Sequence, residues 1–170
     1  MKQVRSIYAH YVTLENDVTT FEETVPSLEE MQRRFNKVTN GSGIKFPFLV
    51  AEQLQPQRRI LGYAYANTYR SRTAYRFTAE TSIYVANDQR GRGLGTTLLT
   101  VLLQRLRATG QIRQVIAVLG TEADNPGSFH LHRKFGFTVA GRFTGIGWKY
   151  GRWVDRVHMQ LELAEGCAVG

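Results

Sequence analysis

A chain of 170 residues, 42% hydrophobic and 21% charged, has the composition of one globular domain large enough for its own core. Its 22 Lys and Arg against 14 Asp and Glu leave a net charge of +8, which favours anionic partners such as nucleic acid, acidic lipid or a phosphorylated small molecule. No apolar run reaches the roughly 20 residues of a membrane span, the lone Cys167 excludes an intramolecular disulfide, and four histidines with one cysteine show no zinc spacing.

The N-terminus, M-K-Q-V-R-S-I-Y, carries no apolar segment of secretory length, so a reduced, cytoplasmic setting is the expectation. Basic residues are scattered, without the block of like charges that marks a nucleic-acid tail. Val4, Ile7, Tyr8, Tyr11 and Val12 fall at helical spacing, which predicts a helix from Lys2 to about Leu14. Val18 to Val25 reads as a loop or short extended piece. Ser27, with Glu30 three residues on, is a capping-box start for a second helix. Asn40-Gly41-Ser42-Gly43 offers left-handed-tolerant residues for its end.

Phe46 to Glu52 and Ile60 to Ala66 read as an antiparallel hairpin around a polar turn with Pro56. Asn67 to Arg76 is a basic loop, and Thr78 to Val85 is a strand. Apolar residues from Leu94 to Leu106 form one wide helical stripe that ends near Gly110. Val115 to Leu119 suits a buried, parallel-type strand. Ser128 to Phe135 is expected to be helical. Phe137 to Phe143 and Val154 to Leu163 are expected to be closing strands, joined by the loop G-I-G-W-K-Y-G-R-W. No repeat or linker divides the chain, so the expectation is one mixed α/β domain over residues 1–170.

Between the strand and the long helix stands Gln89-Arg90-Gly91-Arg92-Gly93-Leu94-Gly95-Thr96. A Walker loop would end in Gly-Lys-Ser/Thr, which is absent. A dinucleotide fingerprint needs one more residue before its third glycine and an acid about 20 residues on. No acid lies between Asp88 and Glu122. What remains is a nest of amides at a helix start, flanked by two arginines, suited to a pyrophosphate. Without an anion those arginines would set like charge against the positive end of the helix dipole.

This stretch resembles the acyl-CoA-binding motif, Q/R-x-x-G-x-G/A, of the GNAT superfamily of N-acetyltransferases. E-T-S-I-Y-V before it, N-P-G-S-F-H-L-H-R-K-F-G-F after it and G-W-K-Y-G-R-W-V-D near the end resemble the phosphinothricin N-acetyltransferase branch, from Ile7 to Leu163. The resemblance implies the GNAT-like acyl-CoA N-acyltransferase fold, a mixed sheet whose central parallel strands splay to admit the cofactor. It implies acetyl transfer from acetyl-CoA to a primary amine, without a metal and commonly as a homodimer. Carried over, the amides of Gly91, Gly93, Gly95 and Thr96 hold the pyrophosphate, with Arg90 and Arg92 nearby. The backbone at Tyr84 and Val85 binds the pantetheine arm and polarises the thioester, and Asn125 and Ser128 contact the distal cofactor. Relative to the family, this chain starts inside the first helix, so the sheet is expected to lack the first strand.

Glu80 matches the branch's carboxylate and is a candidate base, since an α-amine must lose a proton before it attacks. Its structural alternative is an ion pair with Arg70, Arg72 or Arg76. His132 stands where many GNAT enzymes carry a tyrosine that protonates the departing thiolate; imidazole can shuttle a proton there or make a structural hydrogen bond. By resemblance Arg70, Arg72 and Tyr75 line the acceptor pocket, with Phe21 as an aromatic wall and Ser82 beside it.

The function expected is acetyl-CoA-dependent N-acetylation of the α-amine of a small amino-acid-like acceptor, by direct transfer in a ternary complex. Phosphinothricin, methionine sulfone and methionine sulfoximine exemplify the acceptor. The alternatives are another amine (polyamine, aminoglycoside or protein N-terminus) or a non-catalytic module binding CoA or nucleic acid. Neither nucleic acid nor membrane is an expected partner.

Overall fold

The computed structural model describes residues 1–41 and 44–163; Cys167 and the Ser42-Gly43 part of the expected helix stop lie outside them. Helix α1 (Lys2–Thr13) buries Val4, Ile7, Tyr8, Tyr11 and Val12, the single face that i, i+3, i+4, i+7, i+8 spacing presents. Helix α2 (Leu28–Asn40) starts where the capping pattern places it, with Ser27 Oγ accepting from Glu30 N–H at 3.1 Å. The reciprocal half of the box is not formed, because the Glu30 carboxylate pairs with Arg34 at 2.7 Å and with Arg33. The end of α2 also differs from the expected left-handed cap. Gly41 is extended (φ −60°, ψ 156°), and glycine is needed for space, since a Cβ would stand 2.6 Å from Lys37 O.

The remaining elements are β1 (Phe48–Gln53), β2 (Arg59–Thr68), β3 (Thr78–Val85), α3 (Leu94–Ala108), β4 (Gln114–Leu119), α4 (Pro126–Lys134), β5 (Thr138–Lys149) and β6 (Arg152–Glu162). They form a six-stranded sheet in the order β1-β2-β3-β4-β6-β5. Only β3 and β4 run parallel; the other neighbours are antiparallel. Among the described residues no strand precedes α1, so β1 is an edge of this sheet.

Two boundaries depart from the sequence reading. The segment read as a Gly- and aromatic-rich loop is mostly strand. Trp148 pairs with Trp153 and Lys149 with Arg152, leaving a two-residue turn, Tyr150-Gly151, at φ 51° and 71°. Two positive φ values match the twist of paired strands, and the facing tryptophans hold the register. Helix α4 starts at Pro126, two residues before Ser128, because the Asn125 side chain caps it by accepting from Ser128 N–H at 3.1 Å.

Helices cover both faces of the sheet. On one, Leu98, Leu99, Leu102, Leu103 and Leu106 of α3 pack with Phe129 of α4 onto Ala64, Ala66, Ala79, Val115 and Met159. The alanines keep the sheet surface low beneath these leucines. On the other face α1 and Met31 of α2 pack onto Tyr63 and Tyr84. Leu102 is fully buried, so Leu102→Ala is expected to cost about 2–5 kcal/mol of stability. Urea unfolding should show this as a lowered midpoint at unchanged slope.

Candidate active site

The parallel pairing of β3 and β4 is short. It runs from Thr78↔Gln114 to Thr81↔Ala117 and stops. Beyond that point β3 stays with β2 as far as Gly62↔Val85, while β4 stays with β6 as far as Leu119↔Val157. Each strand follows its outer neighbour, so their inner edges separate and open a notch. A cavity of about 630 Å³ fills this notch, lined by β3 from Glu80 to Val85, by Val118 to Gly120, by the glycine loop and by the start of α4.

The glycine loop supplies one end. Gly91 and Gly93 have φ of 75° and 82°, and a Cβ on either would meet nothing within 4 Å. Glycine is therefore required by backbone conformation rather than by space. Gly93 is the N-cap of α3, with no side-chain cap and no acid in the first turn. The amides of Gly95 and Thr96 take no partner among the described residues. A 15-residue helix thus presents its unpaired N–H groups to the cavity. Arg90 lines the same end, with its guanidinium 5.8 Å from the Tyr11 ring, while Arg92 is exposed outside the lining. The residues present fit a phosphorylated anion: free donors, two flanking cations and no carboxylate.

Along β3, Glu80, Ser82 and Tyr84 alternate onto the α1 face, and all three line the cavity. Glu80 enters no ion pair among the described residues, contrary to its structural alternative. Burial raises its carboxyl above the ordinary 4.5, and the charge of Arg70 partly opposes this. Arg72 and Arg76 lie on the exposed loop.

His132 is buried, its Nδ1 2.8 Å from Ser128 O and its ring edge-on to Phe137. A carbonyl can only accept, so Nδ1 carries the proton and Nε2 keeps its lone pair. Burial lowers the pKa below 6.5, which makes the ring neutral at pH 7.

The acceptor side differs from expectation. Phe21 and Ser82 line the cavity, but Arg70, Arg72 and Tyr75 do not. Their loop is exposed, and Tyr75 faces a separate hollow of about 280 Å³ with Tyr69, Phe143 and His158. In their place the cavity gains Tyr11, Thr19, Thr20 and Arg156, none of which the sequence reading singled out. Tyr11 Oη donates to Val85 O at 2.7 Å and accepts from Val85 N–H at 3.2 Å, so its hydroxyl stands at the notch on the backbone group expected to polarise the thioester. Its helical spacing has the appearance of ordinary core, so the sequence carries no signal for this role.

Lys149 is 1% exposed, and its Nζ donates to Asp17 O at 2.9 Å and Thr20 O at 2.8 Å. It thereby holds the loop that carries Phe21 over the cavity. Lys149→Met is expected to strand both carbonyls, lowering stability by about 1–3 kcal/mol. Thermal unfolding should detect the loss, and the KM for the acceptor should rise more than that for acetyl-CoA.

A family model for the acetyltransferase (GNAT) domain matches residues 1–158. The chain is 44% identical over 163 residues to phosphinothricin N-acetyltransferase of Alcaligenes faecalis, covering 96% of this chain and 78% of the relative. It is 38% identical to an L-methionine sulfoximine/L-methionine sulfone acetyltransferase of Pseudomonas paraeruginosa, covering 87% and 81%. A GNAT superfamily phosphinothricin acetyltransferase from Sinorhizobium meliloti, crystallised in complex with AcCoA, superimposes with a TM-score of 0.87 at 43% identity, covering 99% of this chain and 86% of that one. Splayed strands, amide cradle and these likenesses together lead to one statement of kinship: the chain belongs to the GNAT acetyltransferase family.

Proposed function

We propose that the protein transfers acetyl from acetyl-CoA to the α-amine of a small, anionic, amino-acid-like acceptor. The observation that carries this reading is one cavity joining a helix N-terminus to a half-buried carboxylate, Glu80, across a split between two parallel strands, both without a partner among the described residues. The relatives named for phosphinothricin and methionine sulfone acetylation support the acceptor class.

Acetyl-CoA supplies an activated acyl group as a thioester. The amides of Gly91, Gly93, Gly95 and Thr96, with Arg90 and Arg92, would hold its pyrophosphate. The inner edge of β3 at Tyr84 and Val85 would receive the pantetheine arm and donate to the thioester oxygen as charge develops there. Val85 N–H donates to Tyr11 Oη at 3.2 Å, so it would exchange that partner for the thioester oxygen. Asn125 and Ser128 at the start of α4 would meet the distal part of the cofactor. Glu80 takes the proton from the acceptor's ammonium, directly or through a water, and its raised pKa brings it nearer that task. His132, neutral at pH 7 with its Nδ1 proton on Ser128 O, holds the first turn of α4, and CoA departs as a thiolate that takes its proton from solvent.

Phe21 and Ser82 bound the acceptor. Arg70, Arg72 and Tyr75 stand outside the cavity lining, and we assign Arg70 a field effect on Glu80. The polyamine and aminoglycoside readings are disfavoured by the cationic walls of the cavity, Arg90, Lys134 and Arg156. One sheet with a core on each face supports residues 1–170 as one N-acetyltransferase domain. Dependence on acetyl-CoA supports a cytoplasmic location.

A homodimer is supported by the β5–β6 hairpin, where Ile146, Trp148 and Trp153 are 57%, 56% and 67% exposed. Trp153→Lys is expected to convert a dimer to a monomer in light scattering. The test of the function itself is thiol release from acetyl-CoA across amino acids, a polyamine, an aminoglycoside and an N-terminal peptide. Turnover with methionine sulfone or phosphinothricin alone supports the reading, and turnover confined to the cationic amines overturns it.

A further inference from the structure

Arg156 lies on β6, on the sheet face that Glu80 shares. The register gives this: Glu80 stands opposite Ile116, Ile116 opposite Gln160, and Arg156 precedes Gln160 by four residues along the strand. It is only 6% exposed, yet it enters no ion pair among the described residues. Its one hydrogen bond there is from Nη1 to Val18 O. One flat face of the guanidinium is stacked on Phe21, its carbon 3.6 Å from the ring centroid. Phe21 is itself fixed, because its ring packs so close to Gly147 that a Cβ there would come within 2.3 Å. The orientation of the fork is therefore set before any ligand arrives. Arg156 lines the notch cavity with N–H donors to spare.

A buried cation in no ion pair among the described residues is costly to keep, and burial pushes this guanidinium down to about 10, still charged at neutral pH. Stacking, one carbonyl and the more distant charges of Asp124 and Asp17 offset part of that cost, and none of them is a carboxylate paired to the fork. The amide cradle is not its partner, since that lies at the start of α3, beyond the end of β3. Arg156 instead stands across the notch from β3, beside Phe21 and at the level of Tyr84, four residues along the strands from Glu80, and both line the same cavity.

We propose that Arg156 is the specificity residue that reads an oxyanion on the acceptor, while Glu80 attends to its amine. This rests on the acceptor reading above and goes further, by assigning the anion to a residue of β6 rather than to the exposed Arg70 and Arg72. A planar fork suits the two oxygens of a carboxylate or phosphinate. Both the acceptor's α-carboxylate and a side-chain oxyanion have this chemistry.

The test compares kcat/KM for methionine sulfone, its α-amide and phosphinothricin in wild type, Arg156→Gln and Arg156→Lys. Gln keeps a donor for Val18 O, and Lys keeps charge without the fork. Wild type is expected to favour methionine sulfone over the amide by about 10- to 150-fold, as a charged hydrogen-bonded pair allows. In Arg156→Gln that ratio should fall to within about threefold through KM, at unchanged KM for acetyl-CoA, with Arg156→Lys between. Collapse of the sulfone-to-amide ratio identifies the α-carboxylate. Collapse only of the preference for phosphinothricin over methionine sulfone identifies the side-chain oxyanion, and either outcome supports the proposal. If both ratios survive in both variants while only thermal stability drops, Arg156 merely ties down the Val18 loop and the proposal is overturned alone. A wild type idle with every α-amino acid overturns the acceptor reading, and this assignment with it.

Discussion

Replacing Glu80 with Gln is expected to lower kcat by about 10²- to 10⁴-fold, the range of a positioned general base. The change is nearly isosteric and breaks no ion pair among the described residues, so stability should hardly move. The pH profile gives the sharper readout. Glu80 titrates above its ordinary value because of burial, so wild-type activity should fall as the pH drops through that raised value and the base becomes protonated. Glu80→Gln should lose this acid limb. His132, its pKa lowered by burial, would add an acid limb of its own if it were the base. The variants separate the two groups. In His132→Asn the side-chain amide can replace Nδ1–H toward Ser128 O. We expect kcat within about tenfold of wild type and a retained acid limb. A limb that survives in Glu80→Gln and vanishes in His132→Asn would transfer the role of base to His132.

The second large effect concerns the cradle. Gly93 caps α3 at φ 82°, a conformation that is costly for a β-branched residue. Gly93→Val is expected to lower kcat/KM for acetyl-CoA by about 5- to 150-fold, the equivalent of about 1–3 kcal/mol of backbone strain. Space is not the cause, because nothing lies within 4 Å of the would-be Cβ. The loop must relax, and the amides of Gly95 and Thr96 then turn away from their common target. Gly141→Ala is the control. Its Cβ would make an ordinary contact 3.9 Å from Phe143, at no positive φ, and it should leave acetyl-CoA kinetics unchanged.

Much of this arrangement was legible in the sequence because it depends on local rules. The stripe of α1, the Ser27 cap, the β1–β2 hairpin and the strand–glycine–helix cradle each follow from spacing within a short window. The notch was expected only through resemblance. It arises because β3 and β4 each keep register with an outer neighbour, and register between distant strands leaves little trace in composition. The β5–β6 turn was misread because glycines that form a tight turn and a bulge also look like loop.

The acceptor pocket was the least legible part. A basic loop drew attention to Arg70 and Arg72, whereas the cations that the fold draws inward are Lys149 and Arg156. Arg156 interrupts an otherwise apolar alternation with Val154, and a charge inside a buried strand was the signal available. Tyr11 gave none, since a helix-stripe tyrosine and a notch hydroxyl have the same sequence appearance.

Initial-rate kinetics with acetyl-CoA and methionine sulfone varied together test the central claim most directly. One cavity holding cradle, notch and base predicts intersecting double-reciprocal lines, a first-turnover product already on the acceptor's nitrogen, and no thiol release without acceptor. Parallel lines, or a burst of free CoA from acetyl-CoA alone, would mean an acetylated enzyme on the path and would contradict direct transfer at the β3–β4 notch.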